Sequence, residues 1–220
     1  MEKQRKPRVL LTGFTPFGGE RINPALEAVK RVRCPEAELR ILEVPTVFGD
    51  SARLVTAEMD AFRPDVVLCV GQAAGRSAVT PERVAINVDD ARIPDNNGCQ
   101  PVDAPIVPGG PAAYFATVPV KDMVRAVREA GVPSELSNSA GTYVCNHLLY
   151  QVLHHAAPGV RAGFIHVPCI PEQTEGTDRP SLPLAQLVTA LEAAVSACCK
   201  GKVISCQETE ADGEETAADG

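Results

Sequence analysis

The sequence predicts an α/β protein, a single-domain α/β/α sandwich whose twisted, mostly parallel central sheet carries helices on both faces. Apolar segments of strand length alternate along the chain with segments of helical periodicity, the order typical of a parallel sheet. Two of the strand-length segments, VVLCVG and GFIHV, are apolar at nearly every position, as expected of strands covered on both faces. The chain has 220 residues, 45% of them hydrophobic, and can bury one core of this kind. No internal repeat indicates a second domain, so we assign residues 1–206 to one domain.

The first half of the chain is predicted to hold three strands and two helices. Residues 8–13, RVLLTG, form an apolar run that ends at a glycine and a Pro-Phe-Gly-Gly turn. Asn23 and Pro24 are the residue types favoured at a helix N-cap and at the first helical position. The remaining elements are a strand at 39–44, a helix at 50–62 with Asp50 as its cap, and a buried strand at 65–71.

The second half of the chain adds helices around an unusually long loop. Residues 83–89, RVAINVD, alternate apolar and polar side chains and predict a strand with one exposed face. Residues 90–119 are rich in proline, glycine, asparagine and aspartate, and a loop of that length inside a compact domain is usually functional. Helices are predicted at 120–130, 143–156 and 182–199, with strands at 135–138 and 161–167 between them.

The net charge of −7 is concentrated at the C-terminus. Residues 207–220 contain six acidic side chains and no Lys or Arg, and without them 22 acidic side chains face 21 basic ones. The remaining chain therefore has no basic excess that would indicate binding to nucleic acid or an anionic membrane. The tail has no apolar periodicity, so we expect it to be disordered and to act as a solubilising segment rather than a partner site.

The N-terminus and the cysteines bear on the cellular compartment. No run of 18 apolar residues occurs, and the charged start MEKQRKPR is not followed by the apolar region of a signal peptide, so we expect a cytoplasmic protein. The eight cysteines include no CxxC pair, whereas structural zinc sites use close ligand pairs. We therefore expect no metal or cofactor, mostly reduced thiols, and buried apolar roles for Cys69 and Cys169.

The segment 139–155, SAGTYVCNHLLYQVLHH, holds Cys145 and three of the four histidines of the chain. In a helix each residue advances by about 100° and 1.5 Å, so His147 faces away from Cys145. His154 and His155 lie roughly 13 and 15 Å along the axis. None of the three can hydrogen-bond the thiol, and we interpret them as surface or helix-end residues.

Cys145 itself is predicted to lie in the first turn of its helix, after a break at Gly141 and Thr142. There the unpaired N–H groups and the helix dipole favour a thiolate, lower the thiol pKa and can stabilise an oxyanion. A structural cysteine fits the same position, and the helix start alone does not decide between the two roles.

The fourth histidine, His166, lies in the strand predicted at 161–167. It shares a face with Phe164, and Pro168 ends the strand, which places the imidazole near the carboxyl edge of the sheet. Sites in open α/β sheets form at that edge. A buried histidine with a purely structural hydrogen bond is the alternative interpretation.

The loop GFTPFGG invites a phosphate-binding interpretation, because glycine loops before helices bind anions. It matches neither GxGxxG nor GxxxxGK[ST], and two phenylalanines are poor phosphate ligands. Nucleotide binding is therefore disfavoured.

Five motifs in order closely resemble the pyroglutamyl peptidase I family. They are GFTPFGG followed by NP, GQAAGR followed by TPERVAIN, then DDARIPDN, SNSAGTYVCNHLLY and GFIHVP. The resemblance runs from about Val9 to Pro171. It implies a cysteine exopeptidase that removes an N-terminal pyroglutamyl residue from peptides, acts without a cofactor and assembles as a homotetramer.

The resemblance also implies the residues of the site. Matching positions give Cys145 as nucleophile, His166 as base and Glu82 as the carboxylate that orients the imidazole, a set suited to a thioester mechanism. Further family positions correspond to Arg92, associated with the oxyanion, to Asn23, and to the substrate contacts Phe14, Phe17, Gln72, Ile93, Tyr143 and Val144. Tyr143 stands where the family commonly has phenylalanine, and capping alone would explain Asn23.

Two functions of other classes stay open at this level. A peptide- or nucleotide-binding module with an inactive site is disfavoured by the complete set of Cys145, His166 and Glu82. A metallo-hydrolase is disfavoured because the sequence has no HxxxH pattern and no clustered acids.

Overall fold

The computed structural model describes residues 5–200, and the predicted acidic tail at 207–220 lies outside them. The strands are β1 (Arg8–Phe14), β2 (Glu38–Val44), β3 (Val66–Gln72), β4 (Thr80–Pro81), β5 (Val84–Ile86), β6 (Ala113–Phe115) and β7 (Arg161–Val167). The helices are α1 (Pro24–Val29), α2 (Asp50–Phe62), α3 (Val120–Glu129), α4 (Val144–His155), α5 (Pro171–Thr174) and α6 (Leu184–Lys200).

Five strands form the central sheet in the order β2-β1-β3-β7-β4. The first four run parallel to one another, and β4 pairs antiparallel with β7 at the edge. β5 and β6 form a separate antiparallel pair. The register of β3 and β7 sets Gly71 opposite His166, which brings the carboxyl ends of these two strands together.

Helices cover both faces of the sheet, which confirms the predicted sandwich. One face packs against α1, α3 and α6 through a cluster that includes Leu11, Leu68 and Ile165. The other face packs against α2 and α4 through a cluster that includes Leu10, Cys69 and Phe164. Alternate residues of the same strands enter the two clusters, as the period of two in a strand requires. The double apolar coverage explains the continuous apolar runs in the sequence.

The connections place a crevice at the carboxyl ends of β1 and β3. α1 connects β1 to β2 across one face of the sheet, and α2 connects β2 to β3 across the other face. Consequently the loops that follow β1 and β3 diverge, as at the switch point of other open α/β sheets.

The helix boundaries follow local chemistry with one correction. The Asn23 side chain accepts from the Ala25 N–H at 3.0 Å, the predicted N-cap, with Pro24 in the first turn. Asp50 is the first residue of α2 and not its cap, because Gly49, at φ +70°, occupies the cap position. α2 ends at Phe62, and Arg63, with a left-handed φ of 48°, caps it just before Pro64.

Two strand predictions were wrong, one in existence and one in extent. Residues 135–138 form no strand, and this segment has only single bridges, between Ser134 and Val79 and between Ser137 and Glu82. The predicted strand at 83–89 is shorter and preceded by β4, so Glu82 lies between two short strands that belong to different sheets. Within residues 5–200, no helix is long and apolar enough to cross a membrane.

Candidate active site

A cavity of about 340 Å³ opens beyond the carboxyl ends of β1 and β3, within the range of small-molecule sites. Its walls come from the loops after β1, β2 and β3, from the long loop between β5 and β6, and from the start of α4. The lining residues include five of the six predicted substrate contacts, together with Asn23 and Cys145: Phe14, Phe17, Gln72, Ile93, Tyr143, Asn23, Cys145. Gly18, Glu20, Thr46 and Ala74 complete the lining.

Cys145 is the second residue of α4, which confirms its predicted place in the first helical turn. The N–H groups of the first helical residues have no intrahelical acceptor, so they are available to an oxygen in the cavity. Gly141, at φ +79°, allows the chain to turn sharply into this helix.

The thiol packs directly over the end of β3. A Cβ atom added at Gly71 would lie 3.1 Å from Cys145 Sγ and 2.8 Å from Phe164 Cζ. Only glycine leaves room for both neighbours at this position. Because Gly71 is also paired in register with His166, the thiol and the imidazole converge on the same end of the sheet.

His166 and Glu82 form a buried pair beside the thiol. Nδ1 of His166 lies 2.7 Å from Oε1 of Glu82, and the side chains are 5% and 0% exposed. The backbone holds Glu82 in place, since its N–H donates to the Phe164 carbonyl on β7 at 2.9 Å. The predicted Cys145, His166 and Glu82 are therefore brought to one place from three segments of the chain.

Arg76, from the loop after β3, contacts the same carboxylate oxygen. Its NH1 group lies 2.7 Å from Oε1 of Glu82 and also donates to the Thr80 hydroxyl. Its NH2 group donates to the Ser139 carbonyl at 3.3 Å. Oε2 of Glu82 is buried and accepts no hydrogen bond from the described residues. The nearby Ser137 hydroxyl favours the charged form of Glu82, which lowers the pKa of the carboxyl, but its own hydrogen bond is to the Ser139 carbonyl.

Burial shapes the charges of the site. It raises the pKa of the Cys145 thiol to about 12, with a further contribution from the Glu82 charge, so the predicted lowering at the helix start is wrong for this structure. Burial also lowers the pKa of His166, against the hydrogen bond and charge of Glu82. Burial would raise the pKa of Glu82, but His166 and Arg76 outweigh it and the pKa is lowered. Burial therefore disfavours the charged forms of the thiol and the imidazole, whereas the partners of Glu82 favour its charged form.

The two residues after Cys145 anchor its helix. The buried Asn146 side chain accepts from the Ile86 N–H at 3.0 Å and donates to the Ile86 and Val88 carbonyls. His147 is 6% exposed, so its interpretation as a surface residue was wrong. Its Nδ1 lies 2.7 Å from Asp89 Oδ2, and its Nε2 accepts from the backbone N–H at the start of α2 at 3.2 Å.

The other two histidines of α4 lie at its far end, as predicted. His154 Nδ1 is 2.8 Å from the Tyr114 hydroxyl, and His155 Nε2 is 2.8 Å from Asp60. A second surface cavity, bordered by Asp60 and His155, lies at that end. No cysteine of the described residues lines it, so His155 has no thiol to act on there.

Aromatic rings form one wall of the active-site cavity. The Tyr143 ring lies 5.4 Å from that of Phe17 and 5.3 Å from that of Phe48, between ring centroids. Its hydroxyl donates to the Pro94 carbonyl at 3.0 Å, beside Ile93. The hydroxyl, absent from phenylalanine, therefore ties the long loop to the start of α4.

Polar side chains fix the opposite wall. The Gln72 amide donates to Cys169 Sγ and to Gln173 Oε1, each at 3.2 Å. Asn23 caps α1 and donates to the Thr15 carbonyl at 3.2 Å, so its amide is already engaged in holding the loop after β1.

Two predicted site residues lie apart from the cavity lining. Val144 is 0% exposed in the core, so only its backbone can face a bound molecule. Arg92 is exposed next to Ile93, and its side chain makes no hydrogen bond or ion pair within residues 5–200.

The sequence reasoning missed Arg76 and Gly71. Gly71 and Arg76 are the first and last residues of GQAAGR, which follows the buried run VVLCV. A glycine and an arginine at the carboxyl end of a strand were the signals available in the sequence. Among the described residues, no group of three or more His, Cys, Asp or Glu side chains is placed to hold a metal ion.

Comparison with known proteins gives a consistent result. The model of the pyroglutamyl peptidase family, Peptidase_C15, matches residues 7–201. The chain is 57% identical to the pyrrolidone-carboxylate peptidase of Levilactobacillus brevis over 196 residues, which are 86% of this chain and 96% of that one. It is 50% identical to the protein of that name from Vibrio vulnificus over 213 residues, 95% of this chain and 97% of that one.

Solved structures agree with the sequence relatives. The crystal structure of pyroglutamyl peptidase I from Bacillus amyloliquefaciens superposes with a TM-score of 0.86 at 46% identity, covering 90% of this chain and 97% of that one. A mutant pyrrolidone carboxyl peptidase from Pyrococcus furiosus gives 0.83 at 41% identity, covering 87% and 97%.

Fold, site and relatives together define an enzyme, a hydrolase of the cysteine peptidase class. More narrowly, the chain belongs to the pyroglutamyl peptidase family.

Proposed function

We propose that this enzyme hydrolyses the amide bond after an N-terminal pyroglutamyl residue, with Cys145 as nucleophile, His166 as general base and Glu82 as the group that orients His166. The hydrogen bond of 2.7 Å between Glu82 Oε1 and His166 Nδ1 is the observation that carries the proposal. A charged carboxylate can only accept, so Nδ1 bears the proton and Nε2 keeps its lone pair. The imidazole is therefore the tautomer that can take a proton from a thiol.

The proposed reaction has two halves that share one base. Cys145 Sγ attacks the pyroglutamyl carbonyl carbon while its proton passes to His166 Nε2, and the carbonyl oxygen becomes an oxyanion. The unpaired N–H groups at the start of α4 stabilise that oxyanion. The family resemblance adds Arg92, which is exposed beside Ile93 and has to turn its side chain towards the cavity to take this role. The intermediate then expels the amine, which leaves with the proton from His166, and a thioester remains. Water attacks the thioester as His166 takes its proton, and the proton returns to Sγ as pyroglutamate departs.

The cavity suits a flat, uncharged ring. Phe14, Phe17 and Tyr143 offer apolar walls, and the Gln72 amide oxygen can accept from the lactam N–H. An ordinary peptide N-terminus carries an ammonium group. Glu20, the one charged side chain among the described residues that line the cavity, is exposed to solvent, so these residues supply no buried carboxylate to pair with that group. A cyclised N-terminus avoids the desolvation of that ammonium group, which supports selectivity for pyroglutamate.

Turnover of pyroglutamyl-7-amino-4-methylcoumarin by wild type and by Cys145→Ser tests the proposal. We expect the variant to lose activity by at least about 10³-fold, because a serine hydroxyl is a far weaker nucleophile beside this base. Cys99→Ser, at an exposed cysteine, is the matched control and should keep full activity. Substantial activity in Cys145→Ser would refute the mechanism. Equal turnover of the prolyl analogue, which has the ring but carries an ammonium group, would refute the specificity.

The thioester is tested separately. Acid quenching during steady-state turnover, followed by mass spectrometry of the intact protein, should show an added pyroglutamyl group on wild type and none on Cys145→Ser. A fully unmodified wild type in a rapid-quench series, with hydrolysis of the substrate under way, would argue against a covalent intermediate.

We further propose a homotetramer in the cytoplasm, with residues 1–206 as a single peptidase domain. The family resemblance supports the assembly, and Val102 and Phe115, each 71% exposed, are large apolar side chains that an assembly could cover. Light scattering after size exclusion measures the assembly, and an elution mass equal to one chain at micromolar concentration would contradict it.

A further inference from the structure

We propose that Arg76 is a positioning residue of the reaction, which holds Glu82 charged and turned towards His166 and thereby keeps His166 unprotonated and ready to accept the thiol proton. The inference rests on the proposed roles of Cys145, His166 and Glu82. It concerns a residue that lies outside the cavity lining and that neither attacks nor transfers a proton.

The geometry singles out one oxygen atom. Oε1 of Glu82 accepts from both His166 Nδ1 and Arg76 NH1, each at 2.7 Å, while Oε2 is buried without a donor. Both donors that fix the carboxylate rotation therefore act on the same atom. If Arg76 is removed, Oε1 keeps only the His166 donor, and the imidazole becomes the nearest group that can neutralise the carboxylate.

The charges explain why a second donor is needed. Glu82 is fully buried, and an isolated buried carboxylate is costly unless it is paired. A neutral imidazole supplies a hydrogen bond but no counter-charge. Arg76 is always protonated and only 27% exposed, so it neutralises Glu82 whether or not His166 carries a proton.

Without Arg76, Glu82 would instead draw a second proton onto His166, because an opposite charge at hydrogen-bond distance favours the protonated imidazole. The charged and titratable groups that act on this imidazole are Glu82 and Arg76, and Cys145 lies beside the same pair. Burial is the main reason that the pKa of His166 is lowered, and the Arg76 charge acts in the same direction. Burial and the Glu82 charge raise the pKa of Cys145, and the Arg76 charge opposes that rise.

Arg76 also joins two of the three segments that carry the reacting groups. Besides Glu82, it donates to the Ser139 carbonyl at 3.3 Å, in the segment that leads into α4 and Cys145. The backbone N–H of Ser137 in turn donates to the carbonyl of Pro81, next to Glu82, at 3.0 Å. A guanidinium with several fixed donors can hold these groups together, whereas a lysine ammonium supplies the charge without the planar fork.

The decisive measurement is the pH dependence of kcat/KM for Arg76→Gln, with Arg40→Gln as control. Arg40 pairs with Glu58 at 3.0 Å on the outer side of the sheet, so it matches the charge change away from the site. We expect the acid limb for Arg76→Gln to move up by about one pH unit or more. At pH 7 we expect kcat to fall roughly 10- to 100-fold, with little change in KM and partial recovery at higher pH. Arg76→Lys should keep the position of the acid limb and lose only part of kcat.

A role in folding alone would lower activity at every pH by the same factor and would leave the acid limb in place. An unshifted acid limb in folded Arg76→Gln therefore overturns the inference. Titration of the His166 imidazole by NMR, in wild type and variant, reads the same shift without any substrate. If the protein did not hydrolyse pyroglutamyl substrates, the proposed function would fail, whereas the NMR titration would still decide the influence of Arg76 on His166.

Arg76→Gln leaves a buried, unpaired carboxylate and is therefore at risk of not folding. A second pair of variants, Glu82→Gln and Glu82→Gln/Arg76→Gln, removes that risk because no carboxylate remains. The double variant should titrate His166 at a higher pH than Glu82→Gln does, since the arginine charge opposes protonation of the ring. Identical titrations in these two variants would show that Arg76 does not act on His166.

Discussion

Substitution of Gly71 by alanine is expected to displace the nucleophile. The new methyl group would lie 2.8 Å from Phe164 Cζ and 3.1 Å from Cys145 Sγ. Ordinary contacts begin at 3.4 Å, so the ring must retreat by at least 0.6 Å and the sulfur by 0.3 Å. Gly71 does not have a left-handed φ, so steric contact is the reason to expect a defect.

The expected magnitude has a structural and a catalytic part. Extra methyl groups in a packed interior typically cost about 1–3 kcal/mol of folding free energy. Displacement of a reacting atom by up to about 1 Å can lower turnover by about 100-fold. We therefore expect Gly71→Ala to remain folded and to lose kcat by 10- to 100-fold, measured with pyroglutamyl-7-amino-4-methylcoumarin beside urea unfolding.

Gly163→Ala is the matched control on the adjacent strand. Its methyl group would lie 2.3 Å from Val118 Cγ2, on the opposite face of the sheet from Cys145. We expect at least as large a loss of stability as for Gly71→Ala, with kcat close to wild type below the melting temperature. Wild-type kcat in folded Gly71→Ala, or an equal loss of kcat in both variants, would refute the steric argument.

Three further outcomes follow from the anchors of α4 and from the site charges. Asn146→Ala removes three hydrogen bonds to backbone groups in and just after β5, so urea unfolding should show a loss of about 2–3 kcal/mol; less than 0.5 kcal/mol would contradict it. His147→Leu leaves Asp89 buried without its imidazole and should cost about 3–5 kcal/mol, with part recovered in His147→Leu/Asp89→Asn; an additive double variant would show that the pair is not coupled. Burial lowers the pKa of His166, so below the ordinary value of 6.5 the unfolded chain binds more protons than the folded chain. Wild-type stability should therefore fall from pH 7 to pH 5 more steeply than that of His166→Gln. Parallel pH profiles of the two proteins would contradict this.

The fold was largely readable from local patterns, and the misses have physical causes. Parallel strands covered on both faces give continuous apolar runs, so β1, β3 and β7 were placed within a residue or two. Residues 135–138 were misassigned because their partners lie at Val79 and Glu82, and an apolar pattern does not reveal whether single bridges extend into a ladder. Asp50 has the residue type of a cap, but a glycine one residue earlier took that position because it can adopt a positive φ.

The site shows the same division between local and tertiary information. Helix geometry correctly separated Cys145 from the histidines of its own helix, because side-chain direction in a helix depends only on spacing. The burial of His147 was missed, since its partners come from Asp89 and from the start of α2. The thiol pKa was predicted in the wrong direction because the helix start was visible in the sequence, whereas the depth of Cys145 was not.

The sequence by itself determined the α/β class, the place of Cys145 in the first turn of a helix and the place of His166 near the end of a strand. These depend on residue type and on periods of 3.6 and 2, which are local properties. Only the tertiary structure decided that Gly71 makes room for the thiol, that His166 and Arg76 share one oxygen of Glu82, and that burial disfavours the charged forms of the thiol and the imidazole. Those features arise from strand order, register and burial, which bring together residues that lie far apart along the chain.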